Sequence, residues 1–375
     1  MAGILTVFLA AALLFFLSFA NGGNDVSKAI ATLAGAGVTS VRGAIAWGTL
    51  WTVAGALAGL LWGGLLIKNI NGSIYSDAHD FYMPLALAVS IAPILWVALA
   101  TWRGWPVSTT HAIVGGFVGA GLIAYGSQGI NWSQTFSNIV LPLLASPFIA
   151  LTLAWFLTPW LERSARFTNR IRVCLTPVPR VTLANSGGAM VRGAQTAPAE
   201  DCLVCDCNSP QAGLTHGVTL SIDNMHWLTS GLLSFSRGLN DTPKIIAVVM
   251  PFLMLDGHPS PEWLFFWAAL AMGAGSWLAG RNITEVLAFK VTKMNHEKGF
   301  SANLVAAFLV IGASRFGLPV STTQVSASAI MGVGLGGQKG LNADTVKSML
   351  FAWLVTVPAA GMFAALICLA GISLF

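Results

Sequence analysis

Charge is what this sequence has least of. Only 9% of its 375 residues are Asp, Glu, Lys or Arg, against about 25% in an ordinary soluble domain. With 55% hydrophobic residues and a mean hydropathy of +0.73, that scarcity excludes a soluble protein. Short alternating apolar and polar segments of ~10 residues are missing too, which excludes a β-barrel. No His-Glu-x-x-His run, Gly-x-Ser-x-Gly elbow or Gly-Lys-Ser/Thr phosphate loop occurs. An enzyme of those types, or transport driven by nucleotide hydrolysis, is therefore not expected. No Lys or Arg precedes the first apolar run, as a signal peptide requires. Although Ser18-Phe19-Ala20 resembles a cleavage site, that segment is expected to be retained.

What is present is length in the apolar runs. Stretches near 4–20, 43–67, 81–101, 136–158, 261–279 and 346–375 are each about long enough to cross ~30 Å of hydrocarbon. The expected class is an all-α polytopic membrane protein with about ten to twelve hydrophobic elements, some of them re-entrant. The net charge of +5 does not point to nucleic acid, because arginine concentrates in one polar stretch, with Arg163, Arg166, Arg170, Arg172, Arg180 and Arg192. The positive-inside rule places that stretch in the cytoplasm, and the protein is expected to be a multi-pass protein of the cell's inner membrane. Cys202, Cys205 and Cys207 lie in the same stretch as "DCLVCDC". They could bind zinc or a soft metal with His216 as fourth ligand. No second cysteine pair accompanies them, and a reduced, metal-free loop is the plainer reading.

The chain also repeats itself. "FANGGNDVSKAIATL" (19–33) resembles "FSRGLNDTPKIIAVV" (235–249), and "RGWPVSTTHAIVGGFVGAGL" (103–122) resembles "FGLPVSTTQVSASAIMGVGL" (316–335). Asp25 precedes Ser108 by 83 residues and Asp241 precedes Ser321 by 80. Two unlike motifs recurring in one order at nearly one spacing imply two structural repeats, residues 1–158 and 223–375, joined by a linker at 159–222. Inverted repeats are a common plan of secondary transporters.

Each Asn-Asp pair, Asn24-Asp25 and Asn240-Asp241, sits within apolar sequence beside Gly22 and Gly23 or Gly238 and Pro243. Gly and Pro loosen helices, so a break in each helix is expected there, lining an internal polar site. Lys28 and Lys244 follow at i+3 and could simply neutralise the carboxylates. Four ionisable groups at ~2.5–3.5 kcal/mol each on insertion scales are nonetheless a heavy cost for packing alone. The "PVSTT" runs complement them. Pro106 and Pro319 discourage helix before them, and Ser108 and Ser321 are good N-caps for short helices starting inside the membrane. Such helix N-termini, joined by the hydroxyls of Ser108, Thr109, Thr110, Ser321, Thr322 and Thr323, suit an anion. The same hydroxyls could ligate a cation through oxygen. An anion and a cation bound together would offset the membrane potential, worth ~2.3 kcal/mol per charge per 100 mV.

These motifs resemble the paired signature of the PiT family of inorganic phosphate transporters, usually close to G-A-N-D-V-A-N-A, and that family's second repeated motif. The stretch 280–324 resembles the family along its length. The resemblance implies an inverted-repeat fold with broken helices, re-entrant hairpins and a phosphate site between the repeats. Family members are mostly sodium- or proton-coupled, so Asn24, Asp25, Asn240 and Asp241 would help hold coupling cations, including bound sodium, with no other cofactor. The six Ser and Thr residues would line the phosphate pocket. Expected partners are inorganic phosphate, a coupling cation, the lipid bilayer and a second copy in a homodimer.

The departures from the family pattern are informative. Lys28 and Lys244 stand where the family usually has Asn, and Gln324 stands where it has His, while His111 keeps the usual form. Each ammonium could substitute for a bound sodium ion, or reach the anion directly as a phosphate ligand, or extend sideways to an interface. Gln324 belongs with the phosphate-lining set. His111 is either a proton-coupling group or a hydrogen-bonded packing residue. Sulfate or another tetrahedral oxyanion, a passive anion channel and a phosphate sensor are the alternatives.

Overall fold

The computed structural model describes residues 2–75, 82–168, 222–255, 262–292, 294–336 and 341–374. Most of the linker, with Cys202, Cys205, Cys207 and His216, lies outside the described residues. Among the described residues there are thirteen α-helices, a 3-10 turn at Ser127–Gly129 and a π-helical stretch at Phe136–Val140, and no strand beyond an isolated Tyr75–Ile130 bridge. In order they are α1 (Ala2–Gly35), α2 (Val41–Trp62), α3 (Gly64–Ile74), α4 (Met83–Arg103), α5 (Thr109–Tyr125), α6 (Trp132–Thr135) and α7 (Leu141–Thr168). Then come α8 (Ile222–Leu255), α9 (Glu262–Ala279), α10 (Arg281–Phe289), α11 (His296–Arg315), α12 (Thr322–Leu335) and α13 (Ala343–Leu374).

Among the described residues five segments are long and apolar enough to cross a membrane: Leu5–Gly35, Val41–Trp62, Met83–Arg103, Trp132–Leu161 and Ala343–Leu374. Helices α9 and α10 together make a sixth, bent by 65° at Gly280. Large apolar side chains such as Phe8, Trp102, Phe148, Trp160, Leu278 and Leu354 stay exposed. An apolar exterior on this scale is the surface that lipid covers.

Counting the short α6 with α7, the order of the first six elements recurs in α8–α13. Helices α1 and α8 both have 34 residues, α4 and α11 have 21 and 20, and α5 and α12 have 17 and 14. The two halves interlock, with α2 packed on α8, α9 on α1, α5 on α13 and α12 on α7. Lipid offers apolar side chains no incentive to associate, so close backbone approach through small residues does that work. A side chain on Gly22 would strike the Met272 carbonyl, and one on Gly275 the Phe19 carbonyl. In the matching contact Gly238 lies against the Thr52 carbonyl and Gly55 against that of Phe235.

This packing corrects one expectation. Helices α1 and α8 run unbroken through Asn24-Asp25 and Asn240-Asp241. The motif glycines admit a neighbouring helix rather than interrupting their own, and Pro243 is carried inside α8 against Gly63. The breaks fall instead at Gly63, between α2 and α3, and at Gly280, between α9 and α10.

Directions follow from the contacts. Leu13, Leu14 and Leu17 share a core with Leu85, Val89 and Ala92, Ala20 shares one with Val97 and Ala100, and the Asn24 amide donates to Thr101 Oγ1 at 3.0 Å. Thus α4 runs parallel to α1 and ends level with its Asn24-Asp25 motif. Helix α5 then returns beside α4, with Gly116 near Val89 and Pro93 and the Tyr125 ring 6.1 Å from that of Tyr82. The second half repeats this. Gly299 abuts His226 near the start of α8, Asn240 donates to Ser314 Oγ at 2.7 Å, and α12 ends with Gly334 near Thr292. Each pair is a helical hairpin whose turn lies beside the Asn-Asp motif of its own half. Helices α1 and α8 are antiparallel. Ser230, near the start of α8, donates to the Ala29 carbonyl near the end of α1, and Leu13 and Leu17 share a core with Ile245–Val249.

Candidate functional site between the hairpin tips

The two tips are built alike. After Pro106 and Pro319 the chain is extended, and Ser108 and Ser321 then cap the next helix. Ser108 Oγ accepts from the His111 N–H and Ser321 Oγ from the Gln324 N–H, both at 3.2 Å. A single capping bond leaves the other first-turn N–H groups and the positive end of the dipole at each tip. The extended residues leave the Val107 and Val320 carbonyls without a helical partner, and both point at an ammonium.

Lys28 Nζ donates to Asp25 Oδ1, to Asn24 Oδ1 at 3.2 Å, to the Val107 carbonyl at 3.0 Å and, across the interface, to Thr323 Oγ1. Lys244 Nζ pairs with Asp241 Oδ1 at 2.7 Å and donates to the Val320 carbonyl at 3.0 Å and, again across the interface, to Thr110 Oγ1 at 2.8 Å. Each lysine thus binds its own carboxylate, the carbonyl of its own half's tip and a hydroxyl of the other half's tip. Thr323 also donates to the Val107 carbonyl at 2.8 Å, and Thr110 reaches that of Val320 at 3.5 Å.

Thr322 ties the halves together most directly. Its hydroxyl lies 3.3 Å from Asp25 Oδ2 and 3.2 Å from Asp241 Oδ2. One proton cannot serve two acceptors fully, so the geometry is a shared bond between two carboxylates held in one small volume. Thr109 accepts from the Asn21 amide at 3.0 Å, and the same amide reaches Asp25 Oδ2 at 3.2 Å. His111 turns aside from the carboxylates. Its Nδ1 is 2.8 Å from Ser108 Oγ, and its Nε2 meets the Gln324 amide nitrogen in a long 3.4 Å contact. Asn240 points to Ser314, and its Oδ1 is without a partner among the described residues.

All the expected site residues of the membrane region therefore come together, and every one of them is buried. Two further residues, Asn21 and Arg237, belong to the constellation and are not singled out by the motif reading. They occupy equivalent positions, four before Asp25 and Asp241, and aligning "FANGGND" with "FSRGLND" exposes the exchange. The Arg237 guanidinium is 1% exposed. It donates through Nη2 to Thr52 Oγ1 at 2.6 Å and lies 3.5 Å from Ser276 Oγ. Its Nε and Nη1 have no partner among the described residues, and it makes no ion pair with them. A buried arginine with idle donors is costly, and that marks it as more than filling.

The arrangement offers helix N-termini, hydroxyls and three fixed cations to an anion, and carboxylate, amide and carbonyl oxygens to a cation. Among the described residues no group of three or more His, Cys, Asp or Glu side chains could hold a metal ion.

Comparison with known proteins agrees. The Phosphate transporter family matches residues 21–364. Among relatives, the "Probable low-affinity inorganic phosphate transporter" of Bacillus subtilis (strain 168) is 28% identical, over 95% of this chain and 93% of that one. The protein of the same name in Mycobacterium bovis is 27% identical, over 96% of this chain and 76% of its own. A solved structure, "The sodium-dependent phosphate transporter", superimposes with a TM-score of 0.76 at 23% identity over the whole of both chains, a likeness of fold. With a match that runs from the first Asn-Asp motif to the last helix, the chain is an integral membrane protein that belongs to the phosphate transporter family.

Proposed function

We propose that this protein is a secondary active carrier of inorganic phosphate, working by alternating access in the cell's inner membrane, with the 159–222 linker on the cytoplasmic side. One observation carries the reading: the two hairpin tips meet beside two buried Asp-Lys pairs, related half to half. In this reading residues 1–158 and 223–375 are inverted repeats, and the antiparallel course of α1 and α8 supports that. Such a carrier is not an enzyme, since it makes and breaks no covalent bond.

The roles follow from chemistry. The N–H groups and hydroxyls of Ser108, Thr109, Thr110, Ser321, Thr322 and Thr323, with Gln324, recognise the tetrahedral anion's oxygens. Asn24, Asp25, Asn240 and Asp241 supply the oxygens that face a cation. Because Thr322 bonds to carboxylates of both halves, an anion that takes this hydroxyl must loosen the seam between them. That links loading to rearrangement. Every site residue is buried, so the arrangement is closed to both sides and an opening to either one is a separate state of the same site. A cation gradient, of sodium or of protons, supplies the drive, and the likeness to a sodium-dependent phosphate transporter keeps sodium among the candidates.

The test is uptake of radiolabelled phosphate into liposomes containing the purified full-length protein, with and without sodium and with and without a pH gradient. Accumulation above the equilibrium level that follows one of these gradients is expected. Uptake indifferent to both, following only the anion's own gradient, would replace the carrier by a channel. Competition by sulfate as strong as by unlabelled phosphate would widen the substrate to tetrahedral oxyanions in general.

A further inference from the structure

Each of the two buried lysine nitrogens is already surrounded by oxygens. Around Lys28 Nζ stand four oxygens of four kinds: carboxylate, amide, backbone carbonyl and hydroxyl. Around Lys244 Nζ stand three: carboxylate, carbonyl and hydroxyl. Oxygen sets of this mixture are what a hard cation collects. Each set converges on a nitrogen that is tethered and 1% exposed. An external ion would have to evict an ammonium whose own stem leaves it nowhere wetter to go.

The charge count points the same way. The site holds Asp25 and Lys28 on α1 and Arg237, Asp241 and Lys244 on α8, all buried. Helix α5 adds His111, which is turned to Ser108 and Gln324. The facing parts of α4, α11 and α12 add no ionisable side chain, since Arg103 and Arg315 end their helices exposed. The two carboxylates are each matched by their lysine, and Arg237 is left over with idle donors. The fixed charge of the site is therefore one positive unit.

We propose that Lys28 and Lys244 are resident cations, so that this carrier loads phosphate without external sodium and takes it as the monoanion, dihydrogen phosphate. The inference rests on the phosphate reading above. A monoanion brings the closed site to neutrality, whereas a dianion would leave an unmatched negative charge out of water. Near neutral pH phosphate is a mixture of monoanion and dianion, which exchange a proton with the solvent. Uptake of the monoanion therefore carries one proton inward on the substrate itself, released when the anion re-equilibrates inside. Each turnover also moves one negative charge inward, so a pH gradient drives accumulation where no membrane potential opposes it, with no titrating group of the protein involved.

Two measurements on the purified full-length protein in detergent test this. In the first, equilibrium binding of radiolabelled inorganic phosphate is measured in sodium chloride and in choline chloride at equal ionic strength, across a pH series. The expected result is a Kd that agrees within about twofold between the salts. It stays constant when expressed as monoanion, and so weakens about tenfold per pH unit once the monoanion is the minor species. A sodium-dependent tightening of about tenfold or more, or a Kd constant in dianion, overturns the proposal. In the second, thermal unfolding is followed against sodium chloride, with choline chloride as reference and no phosphate present. The parent is expected to show no sodium-specific shift. Lys28→Asn with Lys244→Asn, which empties both oxygen sets, is expected to gain one and to need sodium for phosphate binding.

A sodium-specific shift in the parent as large as in that variant overturns the proposal. The parent measurement alone decides the point if the variant does not fold. Absence of phosphate binding in every condition would sink the phosphate reading instead, while the sodium titration would still judge the lysines.

Discussion

Replacing Gly22 or Gly238 by alanine separates two accounts of the Asn-Asp motifs by sign alone. If the glycines loosened their helices, alanine would firm them, with a gain of about 0.8–1 kcal/mol from helix propensity. The packing says otherwise. A Cβ on Gly22 would overlap the Met272 carbonyl oxygen and lie 2.9 Å from both the Met272 carbonyl carbon and the Ser276 nitrogen. On Gly238 it would overlap the Thr52 carbonyl and lie 2.7 Å from the Ala56 nitrogen. All are backbone atoms, so a helix must move. Overpacking of this kind costs about 1–3 kcal/mol, and the propensity gain offsets about 1 of it.

A net loss of up to about 2 kcal/mol is expected for each single variant. The double variant should lose about twice that, since the contacts involve different helix pairs. Gly312→Ala is the control. It lies within α11 with nothing within 4 Å of its added methyl, so it should gain about 0.5–1 kcal/mol. The assay is thermal unfolding in detergent at one fixed scan rate, because such unfolding is often irreversible. At about 1.3 °C per kcal/mol for a chain of this size, the motif variants should melt roughly 1–4 °C below the control. Gly22→Ala and Gly238→Ala melting together with Gly312→Ala would refute the close-packing account.

Three other outcomes follow from the site. Asp25→Asn strands the Lys28 ammonium in a buried place and should cost about 3–5 kcal/mol; adding Lys28→Asn should restore much of it, read as coupling in a double-mutant cycle of melting temperatures. Arg237→Asn, which copies the residue at the equivalent position of the first half, removes a buried cation with idle donors. It should leave stability equal or higher while phosphate affinity falls tenfold or more, measured by binding and melting on one preparation. Ser108→Ala and Ser321→Ala each remove a helix cap and should cost about 1 kcal/mol, visible as a lower melting temperature with the sodium response unchanged.

Much of this architecture is legible in the residues. The helix starts at Ser108 and Ser321 follow from proline, a capping hydroxyl and the apolar run behind it, and local chemistry of that kind survives tertiary packing. The coming together of the two motif pairs follows from their matched spacing. The course of the helices through Asn24-Asp25 and Asn240-Asp241 does not. Glycine that admits a neighbour and glycine that ends a helix look the same until the neighbour is known, and here the neighbours, Met272 and Thr52, lie more than 180 residues away in sequence. Arg237 escapes notice for a related reason. It reads as a variable residue beside the motif, and only its burial against Thr52 and Ser276 gives it a place among the site's charges.

The interlocking of the halves sets a timetable for the ribosome. Helix α1 is complete at Gly35, but the glycine face that receives α9 has to wait for Glu262 and beyond. At roughly 5–20 residues per second, that delay is on the order of tens of seconds, during which an Asp-Lys pair and a bare notch must be sheltered within the bilayer or by the insertion machinery. Neither half is a finished object when synthesised alone, and a translation product that stops in the linker should be cleared by membrane proteases rather than persist as a half-carrier.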